Sequence, residues 1–115
     1  MNPVSYDLCN QTVTVYRPLE DRILRRVTRG FYRWEDTVRE NDGVEHFARK
    51  FLLILPGSPQ QMFPGDRVIA GEGPEITKEQ WDSFVPSAVA GLSQAAYATP
   101  WYWDGEIVHT EAGRK

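Results

Sequence analysis

Cysteine and histidine are scarce in this sequence of 115 residues, which contains one cysteine, Cys9, and two histidines, His46 and His109. A single cysteine cannot form an internal disulfide, and this usage is typical of a reducing compartment. Neither histidine has a second histidine or a cysteine at the spacing of metal ligands. We therefore expect no metal site, and we interpret both histidines as surface residues of strands.

Long apolar runs and net positive charge are also missing. The longest apolar run, Phe51 to Leu55, is far too short to cross a membrane, and the N-terminus lacks the basic and apolar regions of a signal peptide. The formal net charge is −3, whereas a general nucleic-acid-binding protein is usually basic overall. These absences argue against a membrane protein and against a general nucleic-acid-binding protein.

Motifs for catalysis and for cofactor binding are absent as well. The glycines of Gly71-Glu72-Gly73 do not make a dinucleotide fingerprint, which needs a third glycine and a helix that opens at the loop. A pairing of Cys9 with His109 as nucleophile and base has no supporting local motif. Carboxylates are plentiful, but the sequence places no pair of them across a cleft. We expect no catalytic residue and no cofactor, and thus a protein that is not an enzyme.

The sequence does contain a series of short stretches in which apolar and polar residues alternate, as they do in half-buried β-strands. The stretch from Thr12 to Tyr16 alternates most clearly. The stretch from Ile23 to Val38 is interrupted by Gly30, and such a glycine often marks a bulge or bend, so we expect two strands, 23–29 and 31–38, or one bent strand. Further strands are expected at Phe47–Leu55, Val68–Ala70, Leu92–Ala98 and Glu106–Thr110.

Turn residues separate these strands. Asp42-Gly43 is typical of a β-hairpin turn, and the strand after it ends in the apolar run Phe51–Leu55, which indicates a central strand buried on both faces. Pro56 to Gln61 is expected to be an exposed loop. The segment Phe63–Ile76 places a short strand between two turns. We interpret its glycines as required by backbone geometry and its charges as exposed to solvent.

One short helix is expected after this segment. Thr77 and Gln80 have the spacing of a capping box, which predicts a helix at about 78–84. Pro86 would end it, because proline cannot continue a helix. The apolar side of this helix would carry Trp81, Phe84 and Val85.

The C-terminal region is expected to contain an aromatic turn at Thr99–Gly105 and a polar tail at Glu111–Lys115. Together with the strands and the helix, these features predict one domain over residues 1–115. The predicted fold class is mainly β: a small antiparallel β-barrel or sandwich with one short α-helix.

Positive and negative charges are segregated along the chain. Residues 17–33 carry six arginines against Glu20 and Asp21, a net of +4, and residues 35–45 carry five acids against Arg39, a net of −4. The first interpretation is that these are solvated strand faces. Two alternatives stay open: the arginines contact an acidic neighbouring subunit in a head-to-tail assembly, or they contact nucleic-acid phosphates.

The cluster Trp101-Tyr102-Trp103, which precedes Asp104-Gly105, is the most unusual local feature. Large aromatic side chains often anchor a core, and these would close the open end of a barrel. They could instead form an interface with another protein or a platform for a small ligand. The first interpretation is closure of the barrel, and the other two stay open.

Five segments, taken in order, carry a family resemblance. They are VTVYR at Val13–Arg17, RGFYRWEDT at Arg29–Thr37, a hydrophobic strand that ends in Pro56-Gly57, PGDRVIAGEGPEI at Pro64–Ile76 and YWDGEIVHTEAG at Tyr102–Gly113. In this order they resemble the minor capsid and head–tail connector proteins that tailed bacteriophages and prophages encode in their structural operons. The shared features are turn and aromatic patterns rather than catalytic signatures.

The resemblance implies a small β-barrel that forms a ring in the neck of the virion, below the portal, after assembly in the host bacterial cytoplasm. It implies contacts with portal or adaptor proteins and with tail or neighbouring neck proteins, and it leaves room for non-specific contact with packaged DNA. It implies no enzyme activity. Candidate interface residues are Arg25, Arg26, Arg29, Phe63, Trp101, Tyr102 and Trp103.

Two other functions stay open. One is an intracellular protein-binding module of the β-barrel type, with Trp101–Trp103 as its contact platform. The other is a small hydrolase or isomerase, which the missing motifs disfavour.

Overall fold

The computed structural model describes residues 5–83 and 91–114, and within them the side chains of all residues except 36–39, 41 and 46–49. Its strands are β1 (Gln11–Pro18), β2 (Ile23–Asn41), β3 (Val44–Pro56), β4 (Arg67–Ala70), β5 (Ser93–Gln94), β6 (Tyr97–Trp103) and β7 (Glu106–Arg114), and its helix is α1 (Lys78–Ser83). The strands form an antiparallel sheet in the order β5-β4-β1-β2-β3-β7-β6, which curls into a half-barrel. The predicted fold class is confirmed.

β2 is one bent strand that belongs to two parts of the sheet. Its first part, up to Gly30, pairs with β1, and its second part, from Phe31, pairs with β3. Glycine is needed at this change of partner, because a Cβ atom on Gly30 would lie 2.6 Å from the carbonyl oxygen of Ile54 and 2.8 Å from the Leu55 side chain. The expected bend is therefore a point at which two strands approach closely.

Two apolar clusters lie on opposite faces of β1, because successive side chains of a strand alternate between its faces. The main core lies between the two parts of the curled sheet. A smaller cluster on the outer face contains Tyr16, Ile76 and Trp81. The main core includes Val13, Val15, Tyr32, Leu53, Met62 and Val68.

α1 begins with the capping box that the sequence predicts. The backbone N–H of Thr77 donates to Oε1 of Gln80 at 3.0 Å, and the backbone N–H of Gln80 donates to Oγ1 of Thr77 at 3.1 Å. Trp81 is buried against Tyr16, with ring centroids 6.1 Å apart, so the helix covers the outer face of β1. The predicted helical positions Phe84 and Val85, like the stop at Pro86, lie outside the described residues.

β3 lies between β2 and β7, as its apolar run predicts. Its two faces differ in burial: Phe51, Leu53 and Leu55 are buried, whereas Leu52 and Ile54 are half-buried. The prediction of burial on both faces is therefore correct for one face and only partly correct for the other.

The region Leu92–Ala98 is not the single strand that the sequence predicts. β5 and β6 lie at opposite edges of the sheet, and the chain crosses between them. At the crossing, the backbone N–H of Ala95 donates to the carbonyl oxygen of Asp66, and that of Ala96 donates to the carbonyl oxygen of Gly113, each at 2.8 Å. Local alternation contains no information about this change of neighbours, which explains the error.

Two other C-terminal predictions are wrong. The segment Thr99–Gly105 is mostly strand, since β6 continues to Trp103, and the turn is confined to Asp104-Gly105, where both residues have the positive φ of a type I′ turn. The polar tail predicted at Glu111–Lys115 is part of β7 as far as the structure describes it. Ala112 of that strand is fully buried, because it joins the main core.

Two hairpins extend from opposite ends of the sheet. The β2–β3 hairpin turns at Asp42-Gly43, where both φ angles are positive, as predicted. β7 accompanies β3 only as far as the pair formed by Arg114 and Phe51, so residues 35–50 form a two-stranded arm in the described structure. The β6–β7 hairpin turns at Asp104-Gly105, past the other end of β3. The extents of 49 × 40 × 22 Å describe a flattened shape.

Candidate functional site

An open groove lies where β1 and β2 meet the loop that follows β3. It has a volume of about 250 Å³ and is lined by Val15, Arg17, Leu24, Arg26 and the loop residues Pro59–Gln61. Opposed residues of an antiparallel pair share a face, so the pairing of Val15 with Arg26 and of Arg17 with Leu24 directs all four toward the core side of the sheet. We name this site the arginine groove, because it combines apolar surface with two guanidinium groups.

Arg17 is held in the groove by a buried carboxylate. Asp66, which is 3% exposed, accepts hydrogen bonds from Nε and Nη2 of Arg17 at 3.0 and 2.9 Å and from the backbone N–H of Phe63 at 3.0 Å. The guanidinium carbon also lies 4.4 Å from the centre of the Phe63 ring. The prediction that the charges of segment Phe63–Ile76 are exposed is therefore wrong for Asp66. No local pattern could reveal its partner, Arg17, which is 49 positions away in the sequence although its strand is a neighbour in the sheet.

Arg26 is only partly compensated within the chain. Its Nη2 donates to the carbonyl oxygen of Gln61 at 2.6 Å, and no carboxylate of the described residues forms an ion pair with it. Desolvation, followed by the nearby charge of Arg17, lowers the pKa of the Arg26 guanidinium, and Asp66 opposes this effect. An arginine nevertheless stays protonated at physiological pH. Arg26 is therefore suited to bind an anionic group of a partner.

The other two candidate arginines lie on the opposite face of the sheet. Arg25 donates from Nε and Nη2 to the carbonyl oxygen of Gly73 at 2.9 and 2.6 Å, so it fastens the loop that leads to α1. Arg29 is exposed, and its Nη1 lies 3.5 Å from the carbonyl oxygen of Asn10. The structure therefore does not bring these two together with Arg26, and the arginine-rich segment does not form one positive face.

The three aromatic residues of the β6–β7 hairpin point into solvent. Trp101 is 51% exposed, Tyr102 62% and Trp103 43%. A register shift between Trp101 and Tyr102 interrupts the regular alternation of side chains along β6. The interpretation that they close the barrel is therefore wrong. Adjacent exposed aromatic side chains are typical of contact surfaces, and we name residues 101–106 the aromatic hairpin.

His109 is buried beneath the aromatic hairpin, so its predicted surface position is wrong. The Trp101 ring stacks on it with centroids 5.5 Å apart, and the hydroxyl oxygen of Tyr6 lies 2.7 Å from its Nδ1. Desolvation lowers the pKa of His109, although nearby Glu111 acts in the opposite direction. The lowered pKa favours the neutral form of the imidazole. The side chain of His46 is not among those described, so its assignment stays a prediction.

Cys9 and His109 are each engaged with other groups. The Cys9 Sγ lies 3.9 Å from the carbonyl oxygen of Ile54, whereas the His109 ring contacts Tyr6 and Trp101. Desolvation raises the pKa of the Cys9 thiol, which disfavours the nucleophilic thiolate. The geometry gives no support to a nucleophile–base pair made by these two residues.

The tip of the arm is a second candidate contact surface, with a charge opposite to that of the arginine groove. Its exposed side chains are Glu40, Asp42, Val44 and Glu45, and none of the three carboxylates forms an ion pair with a described residue. Val44 is 56% exposed and pairs with Asn41, so it lies on the face of the arm opposite to the paired Glu40 and Glu45. We name residues 35–50 the acidic arm and these four residues its tip. Two-stranded ribbons are only marginally stable alone in water, so a partner would stabilise the arm.

Residues 5–83 and 91–114 contain neither a candidate metal-binding cluster nor a helix that could span a membrane. No group of three or more histidine, cysteine, aspartate or glutamate side chains there is placed to hold a metal ion. No helix within those same ranges has the length and apolar character needed to span a membrane.

No family model matches the chain, and neither a curated protein nor a solved structure matches it. The chemistry of the candidate surfaces themselves is therefore the basis for a function.

Proposed function

We propose that this chain is a structural protein of the virion neck of a tailed bacteriophage or prophage. In this proposal it is a head–tail connector, head completion or minor capsid protein that acts by assembling into a ring between portal and tail. Its partners are portal or adaptor proteins and tail or neighbouring neck proteins. Its location is the virion, and it performs no catalysis.

The observation that supports ring assembly best is a pair of contact surfaces with opposite charge. The tip of the acidic arm carries three carboxylates that form no ion pair with a described residue, and the arginine groove carries Arg26, with which no described carboxylate forms an ion pair. A subunit of a ring needs two different surfaces, one for each neighbour, because the contact between neighbours is heterologous. The aromatic hairpin would then be free for a different protein, such as the portal or a tail component.

Contact with packaged DNA is a smaller part of the proposal. Arg29 is exposed on the outer face of β2, and its Nη1 makes a long hydrogen bond of 3.5 Å to the carbonyl oxygen of Asn10. A single arginine contributes little to DNA binding, but a ring repeats it once for each subunit.

The proposal is tested by looking for the chain in particles. An epitope-tagged copy is expressed in the bacterium that encodes it, particle production is induced, and the particles are purified on a density gradient. We expect the chain to co-purify with the portal protein at a fixed ratio, and we expect deletion of its gene to give DNA-filled heads without attached tails. Normal, infective particles from the deletion strain would reject the neck assignment, and so would flanking genes that form a metabolic operon.

A second candidate function is a protein-binding module that uses the aromatic hairpin as its contact platform. The exposure of Trp101, Tyr102 and Trp103 specifically favours it, because such side chains are frequent hot spots of interfaces. Under this alternative the tagged chain captures a partner that is not a particle component. Trp101→Ala combined with Trp103→Ala then lowers that capture at least about tenfold, since each hot-spot residue contributes about 2 kcal/mol or more.

A further inference from the structure

We infer that the tip of the acidic arm of one copy docks in the arginine groove of a second copy, head to tail. The inference deepens the proposed function, since it rests on ring assembly and names the contact that makes the ring. The occupant of the groove is thus a defined segment of this same chain, Glu40 to Glu45.

The chemistry of the two surfaces is complementary. The groove presents the Arg26 guanidinium, with N–H donors left after its bond to Gln61, beside the apolar surface of Leu24 and Pro59. At the tip, Glu40 pairs with Glu45, so these two exposed carboxylates share one face of the arm, and Asp42 lies at the turn. Carboxylates match the planar fork of a guanidinium, so the paired glutamates are the groups that would meet Arg26.

The positions of the two surfaces favour a head-to-tail contact. Arg26 and Asp42 lie near opposite ends of the β2–β3 unit, roughly 16 residues apart, which is up to about 50 Å along a straight strand. β2 is paired along this whole length, first with β1 and then with β3, so a chain cannot place its own tip in its own groove. Each contact between copies leaves one free tip and one free groove, and repetition closes a ring if the rotation permits.

The aromatic hairpin is a less suitable occupant of the groove. His109 pairs with both Pro56 and Trp101, and Pro56 begins the loop that lines the groove, so hairpin and groove lie at the same end of the sheet. Two copies that exchanged their hairpins there would form a closed two-fold dimer, which offers no surface for further copies. That arrangement is a distinct outcome of the experiment.

The experiment reverses the charges of the two surfaces in separate variants of the full chain. One variant carries Glu40→Arg and Glu45→Arg, and the other carries Arg26→Glu. Self-association is measured by sedimentation velocity over a concentration series. We expect each variant to self-associate at least about tenfold more weakly than the wild type, because like charges then face each other. We also expect a 1:1 mixture of the two variants to recover the association, since every tip then meets a groove of opposite charge.

Matched controls separate this contact from general effects of charge. Glu75→Arg with Glu79→Arg alters two exposed glutamates away from the arm, and Arg29→Glu alters the outer face of β2. Both are expected to associate like the wild type. Urea unfolding checks that every variant is folded. If Arg26→Glu unfolds the chain, Arg26→Gln is used in its place, and the expected loss of association is then smaller.

Several results would overturn the inference: a wild type that stays monomeric up to about 1 mM, charge reversals without effect, or a mixture that fails to recover. Loss of association on Trp101→Ala but not on reversal of the tip would assign the contact to the aromatic hairpin instead. The neck function fails separately. If the chain associates through tip and groove but is absent from particles, the neck function is rejected and the contact between copies stands. If the chain is a component of particles but its self-association does not respond to charge reversal, the contact is rejected and the neck function stands.

Discussion

Replacement of Asp66 by alanine tests the most buried charge of the described structure. The change removes the bidentate acceptor of Arg17 and leaves the Phe63 N–H without its partner. Hydrogen bonds to charged groups contribute about 1.5–3 kcal/mol each, but the Arg17 side chain is 32% exposed and can return to water. We therefore use the low end of that range for the ion pair, discounted for solvent screening, and expect a loss of about 2–4 kcal/mol in the free energy of unfolding.

The assay is urea unfolding followed by tryptophan fluorescence, with the dependence of free energy on urea compared between variants. Arg17→Ala leaves the Asp66 carboxylate buried and uncompensated, so we expect a loss of similar size, and the double variant should lose much less than the sum. Glu72→Ala is the matched control. The Glu72 side chain is 73% exposed and its Oε1 lies 3.5 Å from Nη2 of Arg25, so the free energy of unfolding should fall by less than about 0.5 kcal/mol. Additive losses for Asp66 and Arg17, or an Asp66→Ala variant as stable as this control, would refute the reasoning.

Two further predictions concern the outer cluster and the buried histidine. Trp81→Ala should lower the free energy of unfolding by about 3–5 kcal/mol, because it removes the ring that covers Tyr16; a change below about 1 kcal/mol would mean that α1 is peripheral. Since the folded-state pKa of His109 lies below its unfolded value of about 6.5, the unfolded chain binds the proton more readily, so stability should fall as pH decreases below about 6.5. The urea midpoint, measured between pH 7.5 and 5, should decrease with falling pH in the wild type and should decrease less in His109→Gln. Equal decreases in the two proteins would contradict the prediction.

Features that depend on a few neighbouring residues could be predicted from the sequence. The capping box of Thr77 and Gln80 and the type I′ turn at Asp42-Gly43 are set by local backbone geometry, so both were correct. The bend at Gly30 was also indicated, although its cause, the close approach of Ile54, depends on a distant strand. The alternation of apolar and polar residues identified β1, because the two-residue period of side chains along a strand depends only on neighbouring residues.

Features that depend on which distant elements meet could not be predicted. Burial of Asp66 requires Arg17 on the neighbouring strand, and burial of His109 requires Tyr6, which is 103 positions away in the chain. The exposure of Trp101 is the converse case: large aromatic residues are usually found in a core, but this one lies on the edge strand β6, level with the last residue of β3. The candidate site therefore emerged from the pairing of strands rather than from any motif.

The outer strands of the described sheet protect it against addition of further strands. β5 at one edge has only two residues, and β6 at the other contains Pro100, which has no backbone N–H to offer a neighbouring chain. Copies of this domain are thereby kept from extending one another's sheets, which is a common route to open-ended aggregation. An ordered assembly must then be held by side chains at the hairpin ends, and its strength should fall as salt screens their charges.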